Sequence, residues 1–404
     1  MKPVEGGVTA PKGFRAAGIH CGIRKNKTKK DLALIVSDCD ANVAAVYTQN
    51  VVKGAPNRVT KEHMKAGNCR AILCNSGIAN TCETDGVEKA EQMAAAAAQL
   101  LGVKTTDVAV ASTGVIGQPL PVDVIAAGLP QLVGELSPQG GHDAAVAIMT
   151  TDTYPKEAAA EFTVGGKTAR IGAIAKGSGM INPNMATMLS FITSDCAISS
   201  AMLDRALREV VGVTYNCLVI DGDTSTNDMV ILLANGQAQN AEITGAGPDY
   251  EAFEAALLSV CRSIVKMLAA DGEGATKYLE CHIRGCRDTA SGRVLAKSVM
   301  SSSLVKTAFF GADANWGRIL CALGYSGVDF DPQKVNVSFH SAAGDILVCQ
   351  NGGSVEFSEE LAKRILSEKE ITLTIEMHEG EAEAVAYGCD LTYDYVKING
   401  DYRT

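Results

Sequence analysis

The sequence predicts an α+β or layered α/β fold, and three observations predict it. Strand-like and helix-like stretches follow one another in clusters rather than in strict alternation, which argues against a Rossmann sheet. The core is aliphatic: apolar residues make up 47% of the 404 residues and aromatic residues only 5%. Glycine is abundant, at 40 residues, and marks many tight turns. A chain of this length can bury two or more hydrophobic layers, in two domains or one large intertwined one.

In chain order, Phe14–Gly22 reads as a short strand, and Leu32–Ser37 and Asn42–Thr48 as two more, parted by Asp38-Cys39-Asp40. Cys69–Asn75 is an apolar strand whose end presents Asn75, Ser76 and Asn80, a common place for ligand contacts. Gly86–Leu101 is a helix, because its alanine tract has high propensity and Gly102 can close its end. The strand Asp107–Ser112 runs into Thr113-Gly114-Val115-Ile116-Gly117. That turn either exposes backbone N–H groups to an anion or is an ordinary strand-to-helix turn. Pro121–Val133 and Ala144–Met149 are expected to be helical. The cluster Thr150–Thr153 suits a polar ligand or a helix cap.

Glu161–Val164 and Thr168–Ala175 form an expected hairpin across Gly165-Gly166. The stretch that follows, Lys176–Asp195, is the centre of the reading. Two turns, Gly177-Ser178-Gly179 and Asn182-Pro183-Asn184, lead to Ala186, Thr187 and a buried strand over Met188–Thr193. Thr187 is either a nucleophile at the mouth of that strand or a β-branched residue that starts it. Beyond it come the helix Ala201–Val211, the strand Cys217–Asp221 with the polar run Asp221–Asp228, and the strand Met229–Ala234. The three aspartates of that run do not have calcium-loop spacing. A long helix, Asp249–Ala270, ends before Glu273, which stands between two glycines and either faces a ligand or lies on an open loop. Arg293–Phe310 reads as a helix and then a strand-like patch, SLVKTAFFG. Val335–Phe339, Glu370–Met377 and Ala384–Tyr387 are expected strands, with a helix over Ser358–Ser367. Three tyrosines in the last twelve residues favour an ordered tail.

Net charge is −10 and no large basic block exists, so nucleic acid is not an expected partner. The 13 cysteines are irregularly spaced and include no C-x-x-C pair, which fits free thiols in a reducing cytoplasm. The N-terminal residues carry no apolar signal segment, and no run is long enough for a membrane span. None of the six histidines sits in a catalytic motif.

Several blocks together resemble the ornithine acetyltransferase (glutamate N-acetyltransferase) family of arginine biosynthesis. They are GGVTAPKGFRAAG from Gly6, NSGIAN from Asn75, STGVIG from Ser112, TTDT from Thr150, KGSGMINPNMATML from Lys176, DGDTSTND from Asp221, DGEGATK from Asp271, GADANWGRI from Gly311, and the tail from Leu391. They cover nearly the whole chain in family order. Ile78, Ala314 and Gly400 depart from the family pattern.

The resemblance implies a helix–sheet–sheet–helix sandwich with a second, smaller domain, and self-cleavage between Ala186 and Thr187. The products would be an α chain, residues 1–186, and a β chain, residues 187–404, associated as two copies of each. The freed Thr187 would then serve as nucleophile, with its own α-amine, of ordinary pKa about 8, as base. That would account for the missing histidine. The resemblance also implies an oxyanion hole at Thr113 and Gly114, typically worth about 3–4 kcal/mol in the transition state. Substrate contacts would come from Thr150, Lys176, Thr187, Glu273, Asn399 and Thr404. Lys176 suits an α-carboxylate and Glu273 the cationic end of ornithine. The implied reaction is ping-pong acetyl transfer from N-acetylornithine to glutamate, with acetyl-CoA a second donor if the enzyme is bifunctional, and with no metal or organic cofactor. The alternative is an N-terminal-nucleophile aminopeptidase or amidohydrolase, which would pass the acyl group to water.

Overall fold

The computed structural model describes residues 1–182 and 188–401. Ala186, Thr187 and Thr404 lie outside the described residues. The chain divides into two compact units, one comprising Met1–Gly177, Asn184–Tyr215 and Thr224–Ile264, the other Ser178–Pro183, Asn216–Asp223 and Val265–Thr404. The mixed α/β class is as expected, with one sheet in each unit.

Among the described residues the strands are, along the chain, β1 (Lys2–Val4), β2 (Phe14–Ile19), β3 (Leu32–Tyr47), β4 (Asn68–Ile78), β5 (Val108–Val115), β6 (Lys156–Val164), β7 (Lys167–Lys176), β8 (Leu189–Ser194), β9 (Leu218–Val219), β10 (Met229–Ala234), β11 (Tyr278–Cys286), β12 (Asn336–Ser341), β13 (Gly344–Gln350), β14 (Gly353–Ser354), β15 (Glu370–Glu376) and β16 (Ala382–Cys389). The helices are α1 (Ala55–His63), α2 (Gly86–Leu101), α3 (Val122–Gly134), α4 (Gly141–Ile148), α5 (Ser200–Val213), α6 (Pro248–Ala270), α7 (Thr289–Ser301), α8 (Ser303–Phe310), α9 (Trp316–Gly324), α10 (Glu359–Leu366) and α11 (Tyr393–Gly400).

The first unit is built on a sheet of order β1-β6-β7-β8-β10-β3-β4-β5, with β2 also paired to β3. Successive side chains of a strand point to opposite faces, and the sequence uses both. Leu32, Leu34 and Val36 of β3, with Ala71 and Leu73 of β4, pack against Ala90, Met93, Ala94 and Ala97 of α2 and Leu129 of α3. Ala33 and Ile35, with Ile72 and Cys74, share the opposite core with Ala144, Ala145 and Ile148 of α4. The small α2 side chains let that helix lie close to the sheet. Each fully buried leucine or isoleucine contributes roughly 1.5–3 kcal/mol. β4, α2 and β5 make a parallel βαβ unit. Its strand ends bring Ser76 beside Thr113 and Gly77 beside Gly114, and the carboxyl ends of parallel strands are a usual place for ligands.

The second unit carries a sheet of order β14-β13-β12-β15-β11-β16-β9. Leu279, Ile283, Phe339, Leu373 and Ile375 form its core with Leu295 and Val299 of α7, Phe309 of α8, Ile319 of α9 and Ile365 of α10. Phe309 meets the Phe339 ring edge-on, with centroids 5.7 Å apart.

The structure corrects several expectations. SLVKTAFF is the helix α8, not a strand: the Ser302 hydroxyl caps it by accepting from the Val305 amide at 3.3 Å. The two strands expected over residues 32–48 are one strand, β3, with a register break between Val36 and Ala41. The strand expected over Cys217–Asp221 shrinks to β9, Leu218–Val219. Strands β11 and β13 and helix α9 were not expected. Within the tail, Tyr393–Gly400 form α11. No helix among the described residues is long and apolar enough to cross a membrane.

Candidate active site

In the first unit the site grows from the end of β5. Gly114 has φ +132°, and a Cβ there would stand 2.2 Å from the Gly77 carbonyl carbon, so only glycine lets β5 close on β4 here. The Thr113 side chain, almost fully buried, has its Oγ1 within 3.3 Å of the Lys176 Nζ that donates to it. Lys176 ends β7 and is half-buried. Burial lowers its ammonium below the ordinary lysine range, with Asp152 and Asp228 pulling upward and Lys156 pushing down.

Asp152 is the hub beneath it. One carboxylate oxygen accepts from Lys156 Nζ at 2.5 Å and from the Gly177 amide at 2.7 Å. The other accepts from the Thr150 amide at 2.9 Å. Burial works against the ionised carboxylate, but Lys176 and Lys156 outweigh it and hold the Asp152 carboxyl at about 2. Lys156 is itself fully buried. One aspartate thereby fixes the backbone at Thr150 and at Gly177, both expected to matter.

The register adds a fourth group. Lys176 of β7 and Met229 of β10 both pair with Leu189, the first residue of β8. Leu189 follows Thr187 by two positions. Asp228, just before Met229, is buried, and its Oδ2 has no hydrogen-bond partner among the described residues. Burial pushes its carboxyl well above the usual range, against a hydrogen bond from Ser225 and the charge of Lys176. Its neighbour Asn227 pins the surrounding loops, donating to the carbonyls of Ala79 at 2.6 Å and Ser112 at 2.9 Å.

The second unit holds the other expected residues. The Asn399 amide of α11 donates to the Glu273 carboxylate at 2.7 Å. Gly179 lies under that carboxylate: a Cβ there would be 2.3 Å from Glu273 Oε2. The Glu273 amide donates to the Ser178 carbonyl at 2.7 Å. Asp221 accepts from the amides of Met180 at 2.6 Å and Ile181 at 2.9 Å, and from the Tyr395 hydroxyl at 3.3 Å. Met180 takes φ +55°, a left-handed conformation that costs a non-glycine residue roughly 1–2 kcal/mol. Met180 thus carries backbone strain, and three hydrogen bonds, from the Glu273 amide to Ser178 and from the Met180 and Ile181 amides to Asp221, hold Ser178–Ile181 in place.

Asn75, Ser76 and Asn80, expected at a ligand, make hydrogen bonds within the protein, although the buried Oδ1 of Asn80 has no partner among the described residues. Asn75 accepts from Ser112 and donates to the Ile78 carbonyl, Ser76 donates to the Ala147 carbonyl and Asn80 to the Gly86 carbonyl. The histidines bond elsewhere: His63 to Glu91, His142 to Glu157, His282 to Glu280 and His340 to Asp345. Among the described residues no group of three His, Cys, Asp or Glu side chains could hold a metal ion.

The ArgJ family model matches residues 15–404. The chain belongs to the ArgJ family. It is 51% identical over 406 residues to the arginine biosynthesis bifunctional protein ArgJ of Symbiobacterium thermophilum, covering 100% of both chains. It is 47% identical over 403 residues to that of Bacillus subtilis, covering 99% of this chain and 97% of the relative. A crystal structure of arginine biosynthesis bifunctional protein ArgJ from Bacillus halodurans is 41% identical with TM-score 0.51, covering 53% of this chain and 99% of that one. The resemblance carried by the motifs is thereby borne out.

For an ArgJ family chain, the motifs pointed to Thr113, Gly114, Thr150, Lys176, Glu273 and Asn399, and the structure brings together Thr113 with Lys176 and Glu273 with Asn399. Asp152, Lys156, Asp228 and Asp221, which surround these residues, were not among the expected ones. The sequence signal for Asp152 was a carboxylate inside a hydroxyl cluster; for Asp221 and Asp228 it was polar density at strand ends.

Proposed function

We propose that this acyltransferase cleaves its own chain between Ala186 and Thr187 and then carries acetyl groups on Thr187. The observation that carries the reading is the register around β8: Lys176 and Met229 flank Leu189, two positions after Thr187, with Asp228 and the Thr113–Lys176 contact beside them. A lysine, buried carboxylates and a strand end with an obligatory glycine converge on the start of that strand. The half-length of the solved Bacillus halodurans chain also supports it, since 53% of this chain is close to the share that residues 187–404 make up.

In cleavage, the Thr187 hydroxyl oxygen attacks the Ala186 carbonyl, and the peptide C–N bond gives way to an ester that water hydrolyses. The products are residues 1–186 and 187–404, assembled as two copies of each. In transfer, the Thr187 hydroxyl attacks the acetyl carbonyl of N-acetylornithine. Its proton passes through the α-amine to the leaving ornithine amine, and the acetyl C–N bond breaks. Glutamate then takes the acetyl group by the reverse path, giving N-acetylglutamate. Acetyl-CoA serves as a second donor. Thr113 and Gly114 stabilise the oxyanion. Lys176 and Thr150 hold the α-carboxylate end, and Glu273, Asn399 and Thr404 the cationic end. The enzyme needs no cofactor and works in the cytoplasm.

The test is acetyl transfer from N-acetylornithine, with and without glutamate. Ornithine release in a burst that becomes steady turnover only with glutamate is expected. Acetate release that ignores glutamate would instead identify a hydrolase.

A further inference from the structure

A cavity in the first unit has chemistry that the acetyl-transfer cluster does not use. It has a volume of about 530 Å³ and lies among the end of β3, α1 and α5. Its wall carries five cationic side chains and a single carboxylate, Glu62, in a protein whose net charge is −10. Lys65 is paired with Glu62 at 2.6 Å, and Arg208 with Asp204 at 2.7 Å. Lys53, Arg58 and Lys61 have no carboxylate partner among the described residues. Three uncompensated cations around one cavity repel each other, and a bound polyanion relieves that repulsion.

The rest of the lining is not merely basic. Tyr47 contributes a half-buried aromatic ring, and Asn57 a buried amide whose Oδ1 has no partner among the described residues. A ligand with a planar ring or amide N–H groups matches these as well as the cations. The inner wall is also joined to the acetyl-transfer cluster. The Thr48 amide at 3.0 Å and the Asn57 side-chain amide at 2.9 Å both donate to the Asp228 carbonyl, and Asp228 acts on Lys176.

We propose that this cavity binds the phosphorylated nucleotide end of acetyl-CoA, with Lys53, Arg58 and Lys61 holding its phosphates. The proposal rests on the reading that acetyl-CoA is a second donor, and it assigns that donor a subsite of its own. N-acetylornithine has no phosphate, so the subsite serves one donor and is idle for the other.

The experiment uses the processed enzyme and a Lys53→Glu/Lys61→Glu double variant, both substitutions being on exposed side chains. KM for acetyl-CoA is expected to rise about tenfold or more, equivalent to losing about 1.4 kcal/mol of binding, while KM for N-acetylornithine stays within about twofold of the parent. Adenosine 3′,5′-bisphosphate, titrated calorimetrically, should bind the parent and not the variant, and inorganic phosphate should compete only weakly. An equal change for both donors, an unchanged KM for acetyl-CoA, or equal binding of the bisphosphate by both proteins would overturn the proposal. If the parent binds the bisphosphate and the variant does not, yet no acetyl-CoA turnover occurs, the subsite stands and the second-donor reading falls.

Discussion

The polar cluster of the first unit and that of the second differ in how far they are removed from water. Asp152 and Lys156 form an ion pair whose side chains are both fully shielded, at 0% exposure, and Asp228 beside them is a buried carboxyl with an unsatisfied oxygen. In the second unit, Glu273 is half-buried and its partner Asn399 is exposed on α11. Desolvated charges are costly unless paired, and their geometry is correspondingly stiff. Exposed polar contacts are worth little to stability and adjust readily. The first cluster is built like a preorganised reaction centre, whose dipoles are fixed before substrate arrives. The second is built like a specificity contact that can let a product go.

The sharpest way to break this contrast is Asp152→Ala. It removes the carboxylate that the buried Lys156 ammonium pairs with and takes away the acceptor for the Thr150 and Gly177 amides. A loss of about 3–5 kcal/mol is expected, read by urea unfolding. A change under about 1 kcal/mol, ordinary for an exposed pair, would show that the cluster is not stiff.

Acid sharpens the same point. The folded Asp152 carboxyl sits at about 2, below its ordinary value of 3.8. A depressed carboxyl adds stability that is complete above the unfolded value and is lost as pH falls through the folded one. About 2 kcal/mol should therefore disappear between pH about 4 and about 2, and Asp152→Asn should flatten that slope. Unfolding free energies measured across this window decide it.

The smallest expected effect lies in the second unit. Asn399→Ala removes one exposed contact to Glu273. Stability should change by less than about 1 kcal/mol, while KM for N-acetylornithine rises with kcat little altered. A large fall in melting temperature would show instead that α11 is held mainly through this contact.

The fold was legible wherever a local signal was strong. Gly86–Leu101 matched because an alanine run fixes helix and Gly102, in the left-handed conformation, ends it. Met229–Ala234 matched because a continuous apolar run of six suits a buried strand. The same kind of run misled at SLVKTAFF, where the deciding feature was one capping serine, Ser302. β11 escaped notice because it mixes Glu280, His282 and Arg284 among its buried residues.

For the candidate site, the motifs pointed to Thr113, Lys176, Glu273 and Asn399, since a shared pattern of residues preserves identity without geometry. What supports them was not legible. Asp152 and Gly177 meet across 25 positions of chain, and Asp228 reaches the neighbourhood of Lys176 only because β10 and β7 both flank β8. Strand register is a tertiary outcome, and no local pattern shows it.

The central claim is that Thr187 is freed by cleavage and carries the acetyl group. Mass spectrometry of the purified enzyme, mixed with N-acetylornithine without glutamate and quenched in acid, tests it directly. The account predicts two polypeptides, residues 1–186 and 187–404, with one acetyl group on Thr187 of the second, and a single unprocessed, inactive chain for Thr187→Ala. An intact chain with full transfer activity, or an acetyl group carried on any other residue, would contradict it.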